Sequence, residues 1–324
     1  MFELYILLPH ALPVLTLAAA ADLVFGDRDH SIHPIRLMGA AISWAEKRAR
    51  ALVWKEIYAG LFMAVSLTIF TFLLVYEVGS LFLHLSLLLY LLFATICISY
   101  GLCLRCLADE ALKVFRALDA NDLPLARQRL SMLVSRETKG MDKVAVSRAV
   151  IETVSENFVD GVCSPWFYAV LGGPALCLSF KMVSTLDSMV GYRNKRYENL
   201  GKAAARMDDA ANFIPARLSL LFVAISGLIC FGKGPFKTIK GTIRDARTQS
   251  SPNSGFPEAA FAHVLGVSLG GPALYQGVLR EHHFMNRQAR PPETIDIKRA
   301  IVLLYSSALI LYLVPIIIVA LTFF

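Results

Sequence analysis

The chain has 324 residues, 56% of them apolar, and a mean hydropathy of +0.55; a soluble protein of this length is not so apolar, whereas a polytopic membrane protein is. Lys plus Arg exceed Asp plus Glu by 32 to 25, a net charge of +7, which suits cytoplasmic membrane loops. No basic tract or aromatic-basic platform accompanies it, so nucleic acid is not an expected partner. The expected class is all-α: an integral membrane protein with about four to six membrane segments, some broken or re-entrant, plus cytoplasmic helical loops.

The first apolar run ends near Phe25. Glu3 stands where a signal peptide carries Lys or Arg, and the run flows directly into Asp22, so a retained membrane segment is expected. Asp22, Gly26, Asp27, His33, Pro34 and Arg36 then form a polar cluster at a membrane edge. Such residues bind metal or phosphate, and they also cap helices and fold loops. Residues 40–55 are basic and amphipathic, with Trp44, Lys47, Arg48, Arg50 and Trp54, and read as an interfacial helix without chemistry. Two apolar runs follow, Ile57–Tyr76 and Leu81–Leu104, each long enough to cross a bilayer. Only residues 77–80 separate them, which predicts a tight transmembrane hairpin. The six cysteines lie mostly in apolar runs and read as reduced packing residues. Cys103 and Cys106 have the spacing of half a zinc site, with no second pair to complete it.

From Arg105 to Gly140 the chain is charged and mixed, and Asn121-Asp122-Leu123-Pro124 divides it into two helices. The motif SRETKGMD, with Arg136, Glu137 and Asp142, closes this cytoplasmic hairpin. Apolar residues at helical spacing then predict a helix from about Met141 to Val159. Arg148, Glu152, Glu156 and Asp160 follow one another along it at four-residue steps, a polar stripe with a slow drift. A solvated face carries such charges too. This stripe, however, leads into VCSPWFYAVLGGPALCLSF, and acids beside a membrane segment are costly unless paired, hydrated or bound to metal.

Phe213–Phe231 and Ala300–Phe324 are good spans, whereas Val162–Phe180 is interrupted by Pro165 and Gly172-Gly173-Pro174. Basic residues occupy both 181–206 and 233–299. If only 213–231 crosses between them, the positive-inside rule fails for one loop. A broken segment at Val162–Phe180 relieves this, and so does a partial return through Ala259–Val278; the sequence does not choose. Between the spans lie Asp187, Arg193, Lys195, Arg196, Asp208 and Asp209. These are cations that fork onto phosphate oxygens and acids that hold magnesium against them. Gly227 to Gly234 nearly matches a P-loop but lacks its Ser or Thr and its strand-to-helix setting, so it is rejected. The loop SPNSGFPEAA, with Ser251, Asn253, Ser254 and Gly255, offers a flexible polar surface, and Glu258 opens the helix after it.

The runs IETVSENFVDG, LGGP, STLDSMVGYRNKRY and RMDDAANFIPARL, together with DLVFGDRDHSIHPIRLMG and SPNSGFPEAAFAHVLGVSLGGPALYQG, resemble in order the CobD/CbiB family, the adenosylcobinamide-phosphate synthases of cobalamin biosynthesis. The resemblance covers nearly the whole chain. Arg28 stands where the family usually has proline, and Glu137 stands where it more often has aspartate, which lengthens the arm.

What the resemblance implies is a single membrane domain over residues 1–324, with 105–160 mainly a cytoplasmic helical insertion. The protein is then a multi-pass protein of the cell (inner) membrane with its active face cytoplasmic. The implied activity is that of an ATP-dependent acid–amine ligase. It joins a propionate carboxylate of adenosylcobyric acid to (R)-1-aminopropan-2-ol phosphate or a related amine, through an acyl phosphate attacked by the free amine. ATP and Mg2+ are the implied cofactors, and the corrinoid is a substrate, not a prosthetic group. The lipid bilayer and other membrane-bound corrinoid enzymes are the implied partners. Candidate catalytic acids are Glu152, Glu156 and Asp160. Candidate substrate-binding residues are Asp22, Asp27, His33, Arg36, Arg136, Arg148, Asn157, Arg193, Asn194, Lys195, Arg196, Asn253 and Glu258; candidate Mg2+ ligands are Asp187, Asp208 and Asp209. The alternatives are an AmpE-like regulatory membrane protein, against which the intact motifs argue, and a corrinoid or small-molecule transporter, motivated by the broken helix and membrane-embedded acids.

Overall fold

Why the chain turns where it does is set by a few capping and helix-breaking residues, seen in a computed structural model that describes residues 5, 10–26, 33–51, 55–192, 194–249, 251–275 and 277–323. Asp27, Arg28, Trp54 and Arg193 lie outside the described residues. In chain order the helices are α1 (Ala11–Phe25), α2 (Pro34–Ala51), α3 (Glu56–Leu85), α4 (Leu87–Gly101), α5 (Leu104–Asp119), α6 (Leu123–Leu130), α7 (Lys143–Phe158), α8 (Ser164–Val190), α9 (Lys202–Phe231), α10 (Pro235–Ala246) and α11 (Gly255–Leu265). A short antiparallel hairpin follows, β1 (Ala273–Tyr275) with β2 (Val278–Arg280), in which Ala273 pairs with Arg280, and then α12 (Thr294–Phe323).

Five stretches are long and apolar enough to cross a membrane: Glu56–Leu85, Leu87–Asp119, Lys143–Val190, Lys202–Phe231 and Thr294–Leu321. The chain is therefore an all-α polytopic membrane protein, and among the described residues a small hairpin accompanies its helices. The hairpin expected at residues 77–80 is misplaced. Glu77, Val78, Gly79 and Ser80 continue α3 without interruption, and the turn comes at Ser86. There the backbone is extended, and the Ser86 hydroxyl accepts from the Leu88 N–H at 3.2 Å, capping α4. The α5–α6 turn falls where the sequence places it: Asn121 takes φ 59°, and Asp122 caps α6 by accepting from the Leu125 N–H at 2.9 Å.

The segment Val162–Phe180 is broken within one long helical run. A π-helical turn at Val159–Cys163 joins α7 to α8, and Pro165 follows it in the first turn of α8. The break comes at Gly172 and Gly173, the latter at φ 63° and ψ −152°, a conformation open to glycine, followed at once by Pro174. The break expected in Val162–Phe180 is therefore present. Ala259–Val278 does not form a long helix: α11 ends at the left-handed Gly266, and the chain continues into the hairpin.

The chain divides into two units. The first comprises Met1–Cys103, Ser164–Asn212 and Val314–Phe324; the second comprises Leu104–Cys163 and Phe213–Leu313. In the first, α8 packs against α2, α3 and α4 around Met38, Ile42, Met63, Leu178, Met182 and Leu186. In the second, α7 packs against α5, α6 and α11, and α11 also carries α10. Phe158 of α7 meets Phe261 of α11 with ring centroids 6.3 Å apart. Their burial fixes the face of α7 that is left for polar residues.

Candidate active site

That polar face of α7 opens on a cavity of about 240 Å³ within the second unit, lined by Arg136, Glu152, Glu156, Gln249, Ser251, Ser254, Glu258, Gly270, Gly271, Tyr275 and His282. Glu152 is its anchor, only 5% exposed. One carboxylate oxygen accepts from the Arg136 guanidinium, and the other accepts from the Gly270 backbone N–H at 2.6 Å. Gly270 and Gly271 lie at φ 87° and 92°, and a Cβ on Gly270 would meet the His283 carbonyl oxygen at 2.4 Å. Glycine is what lets this loop reach the carboxylate. A neighbouring acid does the same for the hairpin. Glu137 donates its N–H to the Leu274 carbonyl, and its carboxylate accepts from the Gly277 N–H at 2.6 Å. The longer arm noted in the sequence thus ends on backbone.

Glu258 comes to the cavity from the first turn of α11. Burial pushes its carboxyl well above the usual range; the nearby Glu156 and Glu152 carboxylates add to this, while Arg136 and the Ser254 hydroxyl pull the other way. The Tyr275 hydroxyl is raised by the same environment, burial first, with Glu152 and Glu156 adding to it against Arg136. Among the described residues, three carboxylates therefore share a partly enclosed space with one arginine, a tyrosine and a histidine. Such a space suits a cationic guest.

A second cavity, about 540 Å³, shares Arg136 and Gly270 with the first and is also lined by Glu137, Asp142, Arg148 and Leu279. Its acids are engaged by backbone: Glu137 as above, and Asp142 by accepting from the Ala145 N–H at 2.7 Å to cap α7. The Arg148 guanidinium lies 5.5 Å from the centre of the Phe284 ring, and its buried Nε has no hydrogen-bond partner. This space suits an anion.

The sequence stripe is thereby sorted. Arg148 faces the second cavity, Glu152 and Glu156 face the first, and Asp160 lines neither. Asp160 falls in the π-helical turn, whose wider winding breaks the four-residue step, and its charge bears on Cys163. Asn157 donates its side-chain amide to the Thr153 carbonyl of its own helix. Asn253 accepts from Arg217 at 3.4 Å, a guanidinium held between the Phe213 and Phe256 rings.

The remaining candidates belong to the first unit and are largely engaged in folding it. Asp22 is buried at 2% exposure. His33 accepts from the Ile35 N–H at 3.2 Å at the start of α2 and packs edge-on against Tyr100, while Arg36 on α2 is exposed. Asn194 accepts from the N–H groups of Arg196 and Tyr197, both at 3.1 Å, and shapes the turn after α8. Arg196 reaches Glu46 of α2 at 3.2 Å, and Lys195 is exposed. The three aspartates separate. Asp208 accepts from Asn212 at 3.0 Å, and Asn212 in turn accepts from Ser164, whereas the Asp209 charge bears on Asp187. Among the described residues, no group of three or more His, Cys, Asp or Glu is disposed to hold a metal ion. A carboxylate pair is nonetheless the share a protein gives to Mg2+ when phosphate supplies the remaining oxygens, and Asp187 with Asp209 fits that share.

Gln249, Tyr275 and His282 are absent from the residues singled out in the sequence. Only the Gly270-Gly271-Pro272 turn signals that the chain doubles back there, and no spacing rule links residue 275 or 282 to residue 152.

Comparisons with known proteins point one way. The family profile described as CobD/Cbib protein matches residues 15–304. The chain is similar to the cobalamin biosynthesis protein CobD of Pelobacter propionicus, 42% identical over 301 residues, which is 91% of each chain. It is also similar to the proteins of the same name from Klebsiella pneumoniae, 37% identical over 89% of this chain and 91% of the relative, and from Geobacter metallireducens, 41% identical over 82% and 83%. No solved structure matches the chain.

Proposed function

The chain belongs to the CobD/CbiB family of cobalamin-biosynthesis proteins, and from that premise we propose that it is an ATP-dependent acid–amine ligase. In this reading it joins (R)-1-aminopropan-2-ol phosphate, or a close relative, to a propionate carboxylate of adenosylcobyric acid, on the cytoplasmic face of the cell membrane. The observation that carries it is the pairing of cavities. An acid-lined space and an arginine-lined space share the wall formed by Arg136 and Gly270, and the amine substrate is a short molecule with an ammonium at one end and a phosphate at the other.

In this reading Arg148 and Arg136 take the phosphate, and the Glu156–Glu258 side takes the amine. An ammonium has no lone pair for attack, so a proton must leave it first. Glu258 is suited to accept that proton once ionised, because its raised pKa narrows the gap to the amine. The neutral nitrogen then bonds to the carbonyl carbon of an acyl phosphate, and the C–O bond breaks with its electron pair leaving on phosphate. The second amine proton passes to the departing phosphate as the amide forms. Glu152 does not exchange protons in this scheme; with both oxygens occupied, it fixes Arg136 and the Gly270 loop. Mg2+, when bound, would supply charge neutralisation on phosphate oxygens; Asp187 and Asp209 of the first unit are the acids suited to hold it, and no step of this scheme is routed through them.

The test is a mass-spectrometric assay of the purified, lipid-reconstituted protein with adenosylcobyric acid, aminopropanol phosphate, Mg2+ and ATP, omitting each in turn. Adenosylcobinamide phosphate should form only when both substrates and ATP are present. A folded protein that yields no amide with this or related amines would overturn the ligase reading.

A further inference from the structure

The helix α10 packs against α11 through a small, polar side and turns its larger apolar residues outward. Its buried side consists of Thr238, Thr242, Asp245 and Ala246, with Gly241 close against the His263 ring of α11. Asp245 is consumed there: it accepts from Arg244 at 2.7 Å, from the Asn286 N–H at 2.8 Å and contacts His263 at 2.9 Å. The outward side carries Phe236, 87% exposed, and the exposed Ile243, interleaved with Lys237, Lys240, Arg244 and Arg247. Phe236, Lys240, Ile243 and Arg247 recur at steps of four, three and four, so they form one stripe. Among the described residues, Lys237, Lys240 and Arg247 make no ion pair with an acid.

Position along the chain decides what this face meets. The apolar part of α9 runs from Phe213 to Phe231, a rise of about 28 Å that matches a bilayer core. Only residues 232–234 separate it from α10, and so short a connection cannot carry α10 beyond the headgroup layer. A second copy apposed through the same face would set these cations against one another. Anionic headgroups complement them, and the acyl boundary accepts Phe236 and Ile243.

We propose that the outward face of α10 docks on anionic phospholipid headgroups of the leaflet in which α9 ends, its phenylalanine and isoleucine entering the acyl boundary. This does not depend on the proposed reaction.

Hydrogen–deuterium exchange of the whole protein tests it, in nanodiscs of phosphatidylcholine and in discs containing phosphatidylglycerol. Amides of residues 236–247 should exchange roughly tenfold more slowly with the anionic lipid, since docking suppresses local opening. Amides of α7 should not change. The triple variant Lys237→Gln, Lys240→Gln, Arg247→Gln, altered only at exposed positions, should return to the phosphatidylcholine rate. Equal exchange in both lipids would overturn the proposal. Protection that follows protein copies per disc instead of lipid charge would assign the face to a second copy, and would equally overturn it.

Discussion

Two regions of this molecule are rich in acids, arginines and amides, and they use them in opposite ways. In the first unit the segment after α8 is held by its own polar groups: Asn194 on two backbone N–H groups, Arg196 on Glu46, Asp208 on Asn212. At the smaller cavity of the second unit Glu152 is consumed in this manner, and its two bonds position Arg136 and Gly270 around a space that Glu156, Glu258, Tyr275 and His282 also face. Motif density marks both regions. What separates them is whether the side chains end on the protein or on a cavity.

The sharpest break between the regions is expected at Glu258. Glu258→Gln keeps the shape and removes the base, and should lower kcat by about 10²- to 10⁴-fold without loss of folding, measured by amide formation beside a thermal melt. Glu152→Gln comes next and acts on structure as well as rate. It leaves the mostly buried Arg136 charge without its carboxylate, a loss of about 3–5 kcal/mol in stability, read by denaturant unfolding in detergent. A third expectation concerns pH. Glu258 must ionise to work, and burial together with Glu156 and Glu152 moves its titration upward against the pull of Arg136 and Ser254, with Tyr275 and His282 also lining the space. The acid limb of kcat should therefore fall above the ordinary carboxylate range and should vanish in Glu258→Gln. Smallest is the effect in the first unit. Arg196→Ala removes an ion pair whose arginine side chain is 67% exposed, and should cost about 0.2–1 kcal/mol, with activity near that of the unaltered protein.

Much of the helical frame was legible because it rests on local signals. Apolar length gave the spans at 213–231 and at the C-terminus, Asn121 to Pro124 marked a turn, and Gly172-Gly173-Pro174 marked the break in α8. The turn at Ser86 was not legible, since residues 77–80 look like a polar interruption yet continue a helix and a single serine cap redirects the chain. In the candidate site, Arg148, Glu152 and Glu156 stood out through their helical stripe, and Glu258 through its place at a helix start. Tyr275 and His282 could not be found that way. They reach the cavity by way of the turn at Gly270 and Gly271, and the partner that fixes this turn is Glu152, 118 residues earlier in the chain.

The most direct test is a matched pair of variants in the reconstituted assay, Glu258→Gln from the second unit and Asp208→Asn from the first, each paired with a melting curve. Glu258→Gln should melt as the unaltered protein does yet form almost no adenosylcobinamide phosphate. Asp208→Asn should lose about 1 kcal/mol of stability through its bond to Asn212 while still turning over. Full activity in Glu258→Gln, with activity lost in a stable Asp208→Asn protein, would contradict this and move the chemistry to the first unit.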